Sequence, residues 1–146
     1  MKSTFKLTVR GYELDSFGHV NNAVYLQYAE AAKWDYFEKC GVLAYLREEK
    51  LFPVILENNI RYMNELRLME EVLVTTEWEF SQNIIRFRHI ISSLTTGKRS
   101  CKINGKLVYV DENRMICSIP EHIIKMMERG ADDISETWTI YRNKRL

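Results

Sequence analysis

The feature that most restricts this chain is apolar–polar alternation, recurring from about residue 71 to residue 110 and broken only by short turn-forming segments. Successive strand side chains point to opposite faces, so a period of two marks a sheet with one face turned to a core. In EEVLVTTEWEF, Val72, Val74, Thr76, Trp78 and Phe80 share one side. After a turn at Ser81–Gln82–Asn83, Ile85, Phe87, His89 and Ile91 share a face, with Arg86 and Arg88 opposite. TTGK reads as another turn, and SCKINGKLVYVDENRM as a long strand with a bulge expected at Gly105. Strands joined by turns this short run antiparallel, because a parallel pair needs a long crossover.

Upstream, TFKLTVRGYEL sets Phe5, Leu7 and Val9 against Thr4, Lys6 and Thr8, and VILENNIRYMNEL reads as a further strand. Between these two lies a helix. Tyr25, Tyr28, Ala29, Ala32 and Tyr36 recur at helical spacing on one face, and the two alanines let that face lie close to a sheet. Asn21 or Asn22 is a natural N-cap and Gly41 a natural end. LAYLREEK continues in helical form until Pro53, and Pro120 and Gly130 bracket a short closing helix, EHIIKMMER. The tail ETWTIYRNKRL fits no element. The order is strand, long helix, then four strands, which makes the fold class α+β: an antiparallel sheet with one long helix packed on it.

The 146 residues fit one domain, and a chain this long buries enough surface for a single core. Twenty-one Lys and Arg against twenty Asp and Glu favour neither nucleic acid nor a membrane surface as partner. The three cysteines, Cys40, Cys101 and Cys117, form no ligand spacing for a metal and read as reduced thiols. No apolar run approaches the ~18 residues of a membrane span, and the N-terminus lacks the apolar core of a signal peptide. A cytoplasmic location is expected.

The chemistry concentrates between Tyr12 and Glu30, in YELDSFGHVNNAVYLQYAE. A helix N-terminus offers unpaired amides and the positive end of a macrodipole. A carboxylate beside such amides suits acyl hydrolysis: the amides hold a carbonyl oxygen as it becomes an oxyanion, while Asp15 attacks the carbon or deprotonates a water. Asp15 is also readable as a loop aspartate bonding local amides, and Asn21 and Asn22 as plain caps. Gly18 suits a turn that needs glycine's backbone freedom.

The run from Asp15 through Gly18, His19, Asn21, Asn22, Tyr25 and Tyr28 to Glu30 resembles the signature of the 4-hydroxybenzoyl-CoA thioesterase family of hotdog-fold proteins. HVNNAVY is also similar to the related plant-type acyl-ACP thioesterases, and IRYMNELRLMEEVLVTTEW and LVYVDENRM resemble later strands of the family. The resemblance spans residues 4 to 118, leaving the closing helix and tail, 119–146, outside it. It implies a long helix wrapped by a curved antiparallel sheet of about five strands. It further implies homodimers or homotetramers with continuous sheets and interfacial sites, and hydrolysis of an acyl-CoA without metal or cofactor. Asp15 matches the catalytic aspartate and the Asn22 backbone amide the group that polarises the thioester carbonyl. Lys33 stands where the family often has a basic residue.

His19 is a candidate for positioning the loop or touching substrate, and Tyr25 for lining the acyl site. Glu57 and Asn58 are candidates for a partner's site. Arg86 and Arg88, with Lys98, Arg99, Lys102 and Lys106, offer a basic rim for CoA phosphates, though charged outer faces are usual for any sheet. Hydrolysis of an acyl-ACP and non-catalytic thioester binding remain open alternatives.

Overall fold

The computed structural model describes residues 1–131. In chain order these form β1 (Lys2–Thr8), a 3₁₀ turn (Gly11–Glu13), α1 (Val24–Lys39), α2 (Val42–Glu49), β2 (Phe52–Tyr62), β3 (Glu71–Ser81), β4 (Ile84–Ser93), β5 (Arg99–Val110), β6 (Ile116–Cys117) and α3 (Glu121–Gly130). Every strand pairing is antiparallel, in the order β1-β3-β4-β5-β2, with the two-residue β6 beside β5. Five strands thus form the sheet as expected, with the short β6 added at β5, and the α+β class read from the alternation holds.

The alternation sorts the faces as expected. Val72, Val74, Thr76 and Trp78 of β3, and Ile85, Phe87, His89 and Ile91 of β4, are buried toward the helices. Helix α1 lies across this inner face against β1, β3 and β4, burying Tyr25, Tyr28, Ala29, Ala32, Tyr36 and Phe37. Trp78 is the centre of the contact. Tyr36 stacks on it at 5.7 Å, Phe37 and Phe87 lie at 5.6 and 6.0 Å, and His89 meets it edge-on at 6.1 Å. Its indole N–H donates to Ser3 Oγ at 3.0 Å, so the ring is buried without an orphaned donor. Lys33 is buried on the same helix, its ammonium held by both Glu30 oxygens at 2.9 and 3.0 Å. Pairing is what makes a buried ammonium tolerable.

Several local readings are corrected. The strand expected to run to Met115 ends at Val110, and a turn returns the chain to β6. No bulge falls at Gly105, which pairs in register with Phe87 and Asn58; the shift on the β2 side lies between Ile55 and Glu57, with Leu56 extra. Gly105 is glycine for another reason: a Cβ there would sit 2.3 Å from the Phe87 ring and 2.7 Å from the Glu57 carbonyl oxygen. Helix α1 starts at Val24 after Ala23, not directly after Asn21 or Asn22. Asn21 still serves the helix start, accepting the Ala23 amide on Oδ1 at 3.0 Å and the Val24 amide on its carbonyl at 2.9 Å. Pro53 lies inside β2 rather than before it, which an edge strand tolerates. Gly130 is the last residue of α3, where a Cβ would come within 2.6 Å of Cys40 Cβ. The tail ETWTIYRNKRL lies outside the described residues.

His89 Nδ1 pairs with Thr76 Oγ1 at 2.7 Å, a satisfied core histidine. Burial, helped by the charge of Lys33, pushes its pKa down to about 3. The unfolded chain binds the proton near pH 6.5 and the folded chain does not until about pH 3. Stability is thus fully present above pH 6.5 and is lost on acidification through that window, at up to about 1.4 kcal/mol per pH unit. Urea denaturation at stepped pH should show the loss, and His89→Gln should flatten it.

Candidate active site

The carboxylate of Asp15 is placed by a small hairpin. Leu14 bridges Val20, and between them the Gly18 amide donates to the Asp15 carbonyl at 3.1 Å while the Asp15 amide donates to the His19 carbonyl at 2.7 Å. Gly18 sits at φ +78°, the left-handed conformation this turn requires. Asp15 Oδ1 accepts from the Phe17 amide at 2.9 Å and the His19 amide at 3.2 Å. The structural reading of Asp15 as a loop aspartate bonding local amides therefore holds: the two amides orient the carboxylate through one oxygen. Among the described residues Oδ2 takes no hydrogen bond.

The hairpin is anchored to the helix from below. The Glu13 carbonyl accepts the Asn21 amide at 2.9 Å, and Glu13 Oε1 accepts the Tyr28 hydroxyl at 2.9 Å and the Arg10 amide at 2.6 Å. Burial first, then the bond to Glu13, raises the Tyr28 pKa, so this phenol stays a donor. Across the cleft, Tyr62 at the end of β2 donates its hydroxyl to the Asn22 carbonyl at 2.9 Å, and its ring meets Tyr25 edge-on at 5.5 Å. Burial pushes the Tyr25 phenol up to about 12.

These residues enclose a cleft of about 200 Å³ lined by Asp15, His19, Val20, Asn22, Tyr25, Tyr62, Met63, Asn64 and Glu65. The Ala23 and Val24 amides are already taken by Asn21, whereas the Asn22 amide finds no acceptor among the described residues. A larger groove of about 520 Å³ adjoins it, sharing Met63, Asn64 and Glu65 and adding Arg67, Glu70, Thr96 and Lys98.

Of the residues singled out in sequence, Asp15, His19, Asn22 and Tyr25 come together here, with Gly18 and Asn21 shaping the backbone around them. Glu57, Arg86 and Arg88 do not. They lie on the outer face of the sheet, in a separate groove with Glu77, Glu79 and Lys106. There the rows Glu79–Arg86–Lys106–Glu57 and Glu77–Arg88–Asn104 run across adjacent strands. Glu57 pairs with Lys106 at 3.3 Å and Arg88 Nε with Asn104 Oδ1 at 3.0 Å, so these charges are largely matched within the sheet. Missed in sequence were Glu13, Tyr62 and Glu65. Tyr62 and Glu65 are hidden in VILENNIRYMNEL, since nothing local says which strand end faces the Asp15 turn. Among the described residues no cluster of three or more His, Cys, Asp or Glu can hold a metal ion.

A long helix laid over an antiparallel sheet, with Asp15 and Asn22 lining one cleft beside the helix start, is a hotdog architecture. The family model described as the thioesterase-like superfamily matches residues 9–127, and the chain belongs to that family. It is 33% identical over 72 residues to the long-chain acyl-CoA thioesterase FadM of Escherichia coli K12, covering 49% of this chain and 54% of that protein. It is 30% identical over 120 residues to the chloroplastic acyl-acyl carrier protein thioesterase ATL3 of Arabidopsis thaliana, covering 81% of this chain and 63% of that one. The chain thus spans between half and two thirds of the length of these relatives. Among solved structures it is similar to a thioesterase from Thermus thermophilus complexed with coenzyme A and zinc. That match has a TM-score of 0.72 and 28% identity, covering 85% of this chain and 95% of that chain.

Any side chain at Gly18 must adopt the left-handed conformation, at a cost of about 1–2 kcal/mol. Gly18→Ala should lower stability by that amount although no neighbour lies within 4 Å of the added methyl. Thermal unfolding of the variant checks this.

Proposed function

We propose that this protein is an acyl-CoA thioesterase that hydrolyses an acyl-CoA to the free acid and coenzyme A. The observation that carries the reading is the shared cleft: Asp15, its carboxylate oriented by two amides, and Asn22, whose amide finds no acceptor among the described residues, line the same space. A thioester carbonyl seated there accepts the Asn22 N–H, which favours the charge that builds on oxygen during attack. Two routes then use the free oxygen of Asp15. As a base, it takes a proton from water as the water oxygen bonds to the carbonyl carbon; the C–S bond breaks and the thiolate leaves. As a nucleophile, it bonds to the carbon and expels the thiolate, and water then opens the mixed anhydride. His19 lines the cleft beside it, Gly18 and Asn21 hold the turn and helix start, and Tyr25 forms a wall for the acyl group. FadM's activity on long-chain acyl-CoA and the coenzyme A bound to the Thermus enzyme support the substrate class. The similarity to ATL3 favours a second reading, an acyl carrier protein thioester attacked by the same groups.

The reading includes a second copy of the chain. Among the described residues β2 pairs only with β5, and its other edge takes no strand partner along its eleven residues. Phe52, Val54 and Leu56 are exposed along it, beside Tyr62 and Met63 of the cleft. An exposed apolar edge strand normally acquires a partner. Among the described residues no helix is long and apolar enough to cross a membrane.

Release of CoA thiol should be seen across a panel of short, medium, long and aromatic acyl-CoAs. Asp15→Asn should cut turnover by at least ~10²-fold, the lower end of what a general base supplies. Unchanged turnover in the folded variant refutes the assignment; activity on acyl carrier protein thioesters alone transfers it to the second reading. Light scattering at micromolar concentration should give a dimer or tetramer, and a monomer would remove the second copy from the account.

A further inference from the structure

The cleft beside Asp15 contains a second carboxylate that the hydrolytic scheme does not use. Glu65 follows β2, and its two oxygens have different partners. Oε1 accepts from Arg67 Nη2 at 2.7 Å, and Oε2 lies 3.4 Å from His19 Nδ1. The Arg67 hydrogen bond holds the Glu65 carboxyl below the usual carboxylate range, so it is anionic at neutral pH. An anionic carboxylate only accepts, which makes Nδ1 the donor; in the neutral ring Nε2 then carries a lone pair and no proton. The backbone of His19 is already fixed, by the Asp15 turn on one side and a bridge to Arg67 on the other. What remains free is the ring's tautomer and rotation, and Glu65 acts on both. The 3.4 Å separation is longer than a tight N–H···O bond and within the range of an ion pair.

We propose that Glu65 is a positioning residue that holds His19 as its Nδ1–H tautomer and so presents Nε2 to the cleft as an acceptor for the attacking water. The proposal rests on the hydrolytic reading of Asp15 and Asn22, but its first test does not depend on activity. The chain has three histidines, His19, His89 and His122, so side-chain ¹H–¹⁵N correlation spectra of the 146-residue chain resolve each ring, with His19 identified by its loss in His19→Asn. At pH 8 the His19 ring should carry its proton on Nδ1. Glu65→Ala should move it toward the Nε2–H form, while Glu65→Gln, whose amide oxygen still accepts, should retain Nδ1–H. With acyl-CoA, kcat of Glu65→Ala should fall by roughly tenfold with little change in KM, short of the ~10² that a 1 Å misplacement at a reacting centre can cost, and Glu65→Gln should recover part of it.

A wild-type ring already in the Nε2–H form overturns the proposal without any variant. So does an unchanged tautomer in Glu65→Ala, or a shifted tautomer with unchanged kcat. Loss of turnover in Asp15→Asn alongside any of these leaves the hydrolytic reading standing and removes only Glu65. Full turnover in Asp15→Asn removes the hydrolytic reading and, with it, the role given to Nε2.

Discussion

Everything at the candidate site depends on how α1 is seated on the sheet, and that seating is made by Trp78. The indole is enclosed by Tyr36 and Phe37 of the helix and by Phe87 and His89 of β4, and its N–H is capped by Ser3 of β1. An aromatic side chain this size removes on the order of 200 Å² from water, and close-packed interiors resist displacement. Ala29 and Ala32 allow the helix to approach, and α3 closes over its far end through the bond from the Tyr36 hydroxyl to the Met127 carbonyl. With its middle and C-terminal half held in this way, the N-terminus of α1 has one position relative to the sheet. The position of the acceptor-free Asn22 amide is then a consequence of core packing.

Two polar ties carry that position to the turn. Tyr28 bonds Glu13, whose carbonyl accepts the Asn21 amide, and Tyr62 bonds the Asn22 carbonyl from the opposite wall. The Asp15 hairpin thereby has its carboxylate oriented by its own amides and its backbone hung from the helix. Such an arrangement suits chemistry in which charge moves onto a carbonyl oxygen, because donors fixed before the reaction need no reorganisation during it. The charged outer face is built on a different logic. Arg86 and Lys106 lie side by side there, flanked by Glu79 and Glu57, and Arg88 lies beside Glu77, so cations and carboxylates offset one another without concentrating one sign of charge.

The candidate site was partly legible in the sequence. Asp15, Gly18, His19, Asn21 and Asn22 are consecutive or nearly so, and a turn followed by a helix start can be recognised from its own residues. The motif resemblance added the direction of the chemistry. Tyr62 and Glu65 were not legible, because they reach the cleft from forty or more residues away. Arg86 and Arg88 were read correctly as sharing a face, but no local rule says what that face meets. Gly105 shows the same limit on a smaller scale. A glycine in a strand suggests a bulge, whereas here it makes room for Phe87 on the neighbouring strand.

By itself the sequence determined the elements and their faces: the alternation of β3, β4 and β5, the apolar stripe of α1, and the turn chemistry of Asp15 to Gly18. These follow from side-chain periodicity and hydrogen bonds spanning a few residues, which are properties of adjacent positions. Only the tertiary structure decided that β1 joins β3, that β2 crosses to the far edge beside β5, and that the end of β2 meets the start of α1. Several strand orders satisfy the same alternation almost equally well. The choice among them is made by the closure of one core around α1, a requirement that belongs to the whole chain at once.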